Sequence, residues 1–293
     1  MKRSASSLWI AFVSLTALPA LSLQASAEIA RQRTDPIRLP LTFIQSIPVT
    51  TIIAGGRAVQ TIVDISGGDA DGALTLNKEV IESADGVSLG TAVAIDAFGH
   101  EFTRPRFKVS GVTIGGHAFQ DIRVVQAMVP ATGDGPPVAN AIGKHFLSEY
   151  FVVVDYAGAS ISLWPPDTKN PAGMNCGRTR IPMEPTAEDR LAVSVFDTPS
   201  GRVRLLWGTG NAYSMLPETI AEKLRLATVT RGPDSPKFYQ SKTLSAAGQD
   251  LGPLEFAVLP LKLPKDFDGV LGGNFFEHHV VCLDYQRREI RVR

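Results

Sequence analysis

Apolar positions along the chain come in short runs rather than at helical spacing. Phe43 to Ile53, Val59 to Val63, Val87 to Ile95, Phe107 to Val109, Ile122 to Val125 and Phe151 to Val154 are rich in Val, Ile and Phe, with Gly, Pro and polar clusters between them. Runs of this length and punctuation predict β-strands. Leu76 to Ser83 and Leu216 to Leu224 predict two short helices. Within Val87 to Phe102 the strand pattern breaks at Phe98-Gly99-His100, which predicts the tip of a hairpin. The class expected is all-β with a few short helices.

The amino-terminal segment has a different pattern. Lys2 and Arg3 precede the apolar run Leu8 to Leu18, Pro19 breaks it, and Ala25-Ser26-Ala27 is a small-residue cleavage signature. This predicts a secretory signal over residues 1–27, cleavage after Ala27, and a periplasmic or secreted product. The run is well short of the roughly 20 residues that span a bilayer, and no later segment comes closer, so no membrane span is expected.

Comparing the chain with itself exposes a duplication. Ala141-Ile142-Gly143-Lys144-His145-Phe146 through Phe151-Val152-Val153-Val154-Asp155-Tyr156 pairs without a gap with Val270-Leu271-Gly272-Gly273-Asn274-Phe275 through Val280-Val281-Cys282-Leu283-Asp284-Tyr285. Each copy goes on to a short closing strand, Ser160 to Trp164 and Glu289 to Val292. Upstream, Gly56 to Asp64 matches Gly201 to Gly208 with a one-residue gap. A repeat this long is a duplicated lobe rather than a solenoid unit. The expected division is residues 28–165 for the first lobe, a Pro/Gly/polar linker over 166–180, and 181–293 for the second.

Composition narrows the function classes. The 293 residues carry 29 Lys+Arg against 29 Asp+Glu, leaving no net field to hold a phosphate backbone, so nucleic acid is not an expected partner. With 44% hydrophobic residues the chain can bury a core, which excludes a disordered protein. Two cysteines are too few for a disulfide scaffold or a four-thiolate zinc site. In an oxidising compartment Cys176 and Cys282 can close one disulfide; two separate buried thiols is the other reading.

At the ends of the duplicated strands the sequence resembles the retropepsin-like and pepsin-like aspartic proteases, in particular bacterial, exported, two-lobed ones. In that family an apolar strand ends in Asp-Thr-Gly or Asp-Ser-Gly, a Leu follows eight residues after the Asp, and an apolar pair before Gly comes late in each lobe. Ile142-Gly143 and Leu271-Gly272 match the late element. Asp64-Ile65-Ser66-Gly67 matches the early element of the first lobe, with Ile65 intruding and Leu76 at 12 residues instead of eight. Gly208-Thr209-Gly210 through Leu216 matches that of the second lobe at the family spacing, with Gly208 where the second Asp belongs.

The resemblance, which covers Phe43 to Arg293, implies two barrel-like lobes, a polypeptide ligand in the cleft between them, the hairpin tip Phe98-Gly99-His100 as a flap over it, no cofactor and no metal. It implies Asp64 as the catalytic carboxylate, with Ser66 and Gly67 in its loop and Gly208, Thr209 and Gly210 at the degenerate second position. The family mechanism divides one proton between two close carboxylates, one activating water and the other donating to the scissile carbonyl. One carboxylate cannot begin in both states, so an impaired enzyme is the expectation. The alternative is an active endopeptidase whose second carboxylate comes from Asp69 or Asp71, or from a second copy of Asp64 across a dimer; the oligomeric state is open. Asp268 is expected to bind backbone amides, and Asp155 and Asp284 to cap turns. His278-His279 and Gly115-Gly116-His117 are expected to hold neither a metal nor a phosphate.

Overall fold

Val59, Thr61 and Val63 of the strand Arg57–Val63 are buried while Arg57, Ala58 and Gln60 are exposed, the period of two that a half-covered strand requires. Its counterpart Gly201–Trp207 ends in three consecutive buried residues, Leu205, Leu206 and Trp207, because both of its faces are covered there. The computed structural model describes residues 35–67, 72–95, 101–127, 140–168, 176–188, 190–232 and 237–293. The signal segment, Asp69, Asp71, Phe98-Gly99-His100 and the middle of the linker lie outside them.

The described strands form three sheets, and apart from Thr42–Ile44, which adds a tenth strand beside Ile47–Ala54 in the first lobe, the duplication holds strand for strand. The first-lobe sheet runs in the order Val87–Ile95, Glu101–Val109, Ile122–Gln126, Leu74–Leu76, Ala141–Ile142, Arg57–Val63, Ile47–Ala54, Val112–Ile114, His117–Phe119. The second-lobe sheet repeats it as Ala227–Val229, Phe238–Ser241, Leu254–Val258, Ser214–Leu216, Gly269–Leu271, Gly201–Trp207, Val193–Thr198, Ser245–Ala246, Gln249–Asp250. The parallel pairs fall at the same places: Ile62 opposite Ala141 and Val63 opposite Ile142 in one lobe, Leu206 opposite Val270 and Trp207 opposite Leu271 in the other.

The third sheet belongs to both lobes. Ile37–Pro40, Ser160–Trp164 and Phe151–Asp155 pair on through Val280–Asp284, Glu289–Val292 and Ile181–Pro182, so the lobes and this sheet make one compact unit. Antiparallel pairing of Phe151–Asp155 with Val280–Asp284 sets Val153 opposite Cys282. Cys282 is bonded to Cys176, and the bridge is buried among Phe151, Val153 and Trp164. The helices are single turns or little more. Lys78–Ser83 is capped by Asn77, whose side chain accepts from the Val80 amide, and Glu218–Lys223 follows Pro217.

Two hairpins add to the expected elements, and one of them carries no turn signal. Phe43 to Ile53, expected as one strand, is two, Thr42–Ile44 and Ile47–Ala54, folded back at Gln45 and Ser46 with φ of 48° and 65°. Turns with two positive φ values favour Asn-Gly, and Gln-Ser carries none of that signal. Val112–Ile114 and His117–Phe119 turn at Gly115-Gly116.

Candidate active site

The two long central strands end side by side, and each hands its chain to a loop held in the same way. The Asp64 amide donates to the Ile142 carbonyl and the Gly208 amide to the Leu271 carbonyl, both at 3.0 Å. Counted from these bonds, Asp64-Ile65-Ser66 corresponds to Gly208-Thr209-Gly210 residue for residue. Ile65 is therefore no insertion: it stands where Thr209 stands, and Ser66 stands where Gly210 stands. The longer path to Leu76 arises after Gly67.

Thr209 ties the loops together. Fully buried, its Oγ1 donates to the Val63 carbonyl at 2.6 Å and accepts from the Ile65 amide at 3.1 Å. Ile65 has no hydroxyl with which to return that bond to the other strand, so the tie is one-sided. A second link between lobes runs from the Ser46 hydroxyl, at the Gln45-Ser46 turn, to the Glu277 carboxylate.

Three donors converge on Oδ1 of the half-buried Asp64: the Ser66 amide at 2.9 Å, the Ser66 hydroxyl at 2.7 Å and the Gly210 amide at 3.2 Å. The last crosses between lobes. The Gly210 amide corresponds to that of Ser66, and with no side chain at 208 to serve, it turns to Asp64. The fit is close enough to exclude any Cβ: one on Gly210 would stand 2.2 Å from Asp64 Oδ2, and one on Gly67 2.3 Å from the same oxygen.

The place of the missing carboxylate is filled. A Cβ on Gly208 would lie 2.7 Å from Ser66 Oγ and 2.9 Å from Val270 Cγ1, contacts tighter than real side chains tolerate. Ser66 therefore occupies the space into which a side chain at 208 would grow. Among the described residues, what remains is a single carboxylate with strong donors: it can accept a proton or orient a water, and no acid faces it from the second loop.

Two tyrosines lie near Asp64, one from each copy of the Asp-Tyr repeat. Burial, then the Asp64 charge, then Glu277 push the Tyr156 phenol well above its usual range; burial and then Asp64 do the same to Tyr285. Both stay neutral at any physiological pH. The Tyr285 hydroxyl reaches the Ile65 carbonyl at 3.5 Å, and Tyr156 packs between Phe43 and Phe276. Sequence reasoning treated these tyrosines only as markers of the repeat, and it gave no role to Ser66 beyond its loop.

Beside the Gly208 loop lies a cavity of about 310 Å³, walled by Asn211, Tyr213, Met215, Phe238, Leu259 and Arg231. The Arg231 guanidinium sits 4.2 Å above the Phe238 ring and pairs with Glu255. The remaining sequence candidates have local duties. Asp268 Oδ2 accepts from the Arg204 amide at 2.8 Å, while Asp155 and Asp284 accept from the amides of Gly158 and Arg287. His279 stacks on Phe275 and its Nε2 donates to the Leu251 carbonyl.

No protein-family model matches the chain, and a comparison of its sequence with curated proteins gives no match. By structure it is similar to the crystal structure of an aspartic proteinase from Irpex lacteus, with a TM-score of 0.61 and 11% sequence identity over 87% of this chain and 96% of that one. The fold is that of the aspartic proteinases. On that fold the ends of the two long central strands carry one aspartate, at 64, where the duplication offers two positions.

Proposed function

We propose that this chain is an exported protein of aspartic-proteinase fold that binds an extended polypeptide between its lobes and does not hydrolyse it. The observation that carries the reading is Gly208, opposite Asp64, with Ser66 in the seat of the missing side chain. Losing one partner of a general acid–base pair costs typically about 10²–10⁴-fold in rate, and the attacking water loses its second anchor as well.

Binding has support of its own. The strand Val87–Ile95 lies at the edge of the first-lobe sheet, uncharged throughout, with Val87, Leu89 and Val93 exposed. An edge of this kind is suited to pairing with the backbone of an extended peptide. The aromatic cavity beside the Gly208 loop is suited to a side chain of the same peptide. Export is supported by the pattern of residues 1–27 and by the Cys176–Cys282 bridge, since such bonds persist in oxidising compartments.

The test mixes the purified protein with a fluorescently labelled unfolded polypeptide from pH 3 to 8 and follows both anisotropy and cleavage. Saturable binding without cleavage is expected, weakened by Tyr213→Ala. Absence of binding overturns the reading. Cleavage that Asp64→Asn abolishes replaces it with an active endopeptidase.

A further inference from the structure

A sheet that ends in an open strand offers its backbone to another chain, and folded proteins keep such ends short, charged or broken by proline. Among the described residues, five of the six ends of the three sheets obey that rule by length. Ile37–Pro40, Ile181–Pro182, His117–Phe119, Ala227–Val229 and Gln249–Asp250 have two to four residues each. The sixth, Val87–Ile95, has nine residues, with no charge and no proline among them. It also supplies Val87, Leu89 and Val93, half of the large apolar side chains that stand exposed among the described residues.

A bulge between Ser88 and Thr91, with Gly90 at φ of 88°, interrupts the ladder, so the regular part of this edge is Thr91–Ile95. Pro105 of the neighbouring strand decides which backbone groups that part presents. It stands opposite Thr91 and has no N–H to give, so Thr91 and Pro105 cannot form a pair that exchanges hydrogen bonds. On the other side of Pro105 the Gln126 carbonyl accepts from Arg104 Nε at 2.8 Å, a side chain doing what the missing N–H cannot. Pairs alternate along an antiparallel ladder, so Val93 opposite Thr103 and Ile95 opposite Glu101 are of the same kind as Thr91 opposite Pro105. Thr91, Val93 and Ile95 therefore turn their N–H and C=O groups outward, to the open edge.

We propose that two copies of this chain pair antiparallel along Thr91–Ile95, about a two-fold axis at Val93. The segment Thr91-Ala92-Val93-Ala94-Ile95 is nearly symmetric about its centre. The axis sets Ala92 against Ala94, Thr91 against Ile95, and Val93 against its own copy, which is the self-complementarity such an interface requires. All three outward-turned residues then fall in pairs that exchange N–H···O=C bonds, about six bonds in all. With no charge in the strand, none meets its like across the axis. One strand pair is at the small end of protein interfaces, so the dimer is reversible, with a Kd of about 1–100 µM. The inference stands on this edge and not on the reading above. Where both hold, a polypeptide and a second copy compete for the same strand.

The test is sedimentation equilibrium of the purified protein from about 1 to 500 µM, where monomer–dimer exchange is expected. Val93→Lys, which brings two like charges together at the axis, should weaken the dimer about tenfold or more. Val93→Pro, which deletes an N–H that the chain's own ladder does not use, should do the same. Val93 is 58% exposed, so Val93→Lys decides alone if Val93→Pro fails to fold. The two native cysteines are bonded to each other, so an added one reports by itself. Val93→Cys should cross-link to its copy on oxidation, since bond-exchanging pairs hold their Cα atoms about 5.5 Å apart, and Ile53→Cys should not. A protein monomeric throughout the range overturns the proposal, as does a dimer that neither Val93→Lys nor Val93→Pro weakens. Adding the labelled unfolded polypeptide separates the two ideas. A monomer that binds it overturns the dimer and leaves the earlier reading standing; a dimer centred on Val93 that binds none does the reverse.

Discussion

An aspartate placed at 208 alone should not fit, because position 208 and Ser66 compete for one space. The Cβ added to Gly208 stands 2.7 Å from Ser66 Oγ and 2.9 Å from Val270 Cγ1, where ordinary contact begins at 3.4 Å. Both neighbours sit in a tightly packed region, with Val270 6% exposed and Ser66 held by its bond to Asp64, so neither gives way freely. Overpacking of this kind costs about 1–3 kcal/mol. At roughly 2–4 °C per kcal/mol for a chain of this size, Gly208→Asp should lower Tm by about 2–12 °C.

Ser66→Gly removes the nearer obstacle. It also costs stability on its own, since it deletes a hydroxyl bond to a carboxylate. The decisive quantity is therefore the coupling between the two changes. In a double-mutant cycle by urea unfolding, Ser66→Gly/Gly208→Asp should be less destabilised than the sum of the single variants by about 1–3 kcal/mol. Additivity within about 0.5 kcal/mol would refute the shared-seat reasoning. Adding Ile65→Thr makes both loops Asp-Thr-Gly and lets position 65 return the bond that Thr209 makes. Hydrolysis of an unfolded protein at acid pH should appear in that triple variant and not in Gly208→Asp.

Thr209→Val should cost about 2–4 kcal/mol in urea unfolding, because it orphans the buried Val63 carbonyl and Ile65 amide together. His279 should make the fold acid-sensitive. Burial lowers its pKa below the ordinary 6.5, against the opposing pull of its bond to Leu251, so the unfolded chain binds more protons in that window. Stability is then fully present above about pH 6.5 and falls as pH drops through the folded value; His279→Gln should flatten that part of the profile. Reducing Cys176–Cys282, which closes a loop of 106 residues, should lower stability by about 4–5 kcal/mol in the chain-entropy model, read as a drop in urea midpoint under dithiothreitol.

Much of the architecture was legible because it rests on local pattern. The runs at Val59 to Val63, Val87 to Ile95 and Ser160 to Trp164 are strands in the structure, and the Asp-Tyr repeat marks equivalent strand ends. The Gln45-Ser46 turn was not legible, since its two left-handed residues are held by the packing of Ser46 against Gly273 rather than by turn propensity. The alignment of Asp64-Ile65-Ser66 on Gly208-Thr209-Gly210 was not legible either. Letters alone favoured matching Ser66-Gly67 to the motif and treating Ile65 as extra, whereas the backbone bonds to Ile142 and Leu271 fix the correspondence.

The sequence by itself determined that the chain is a duplicated all-β protein with an aspartate at the end of one central strand and none at its partner, because strand periodicity and repeat spacing are properties of neighbours in the chain. Only the tertiary structure decided that Ser66 fills the place of the absent carboxylate and that the Gly210 amide crosses over to Asp64. Those relations join residues from different lobes, and their separations depend on how two packed sheets are set against each other, which no local pattern encodes.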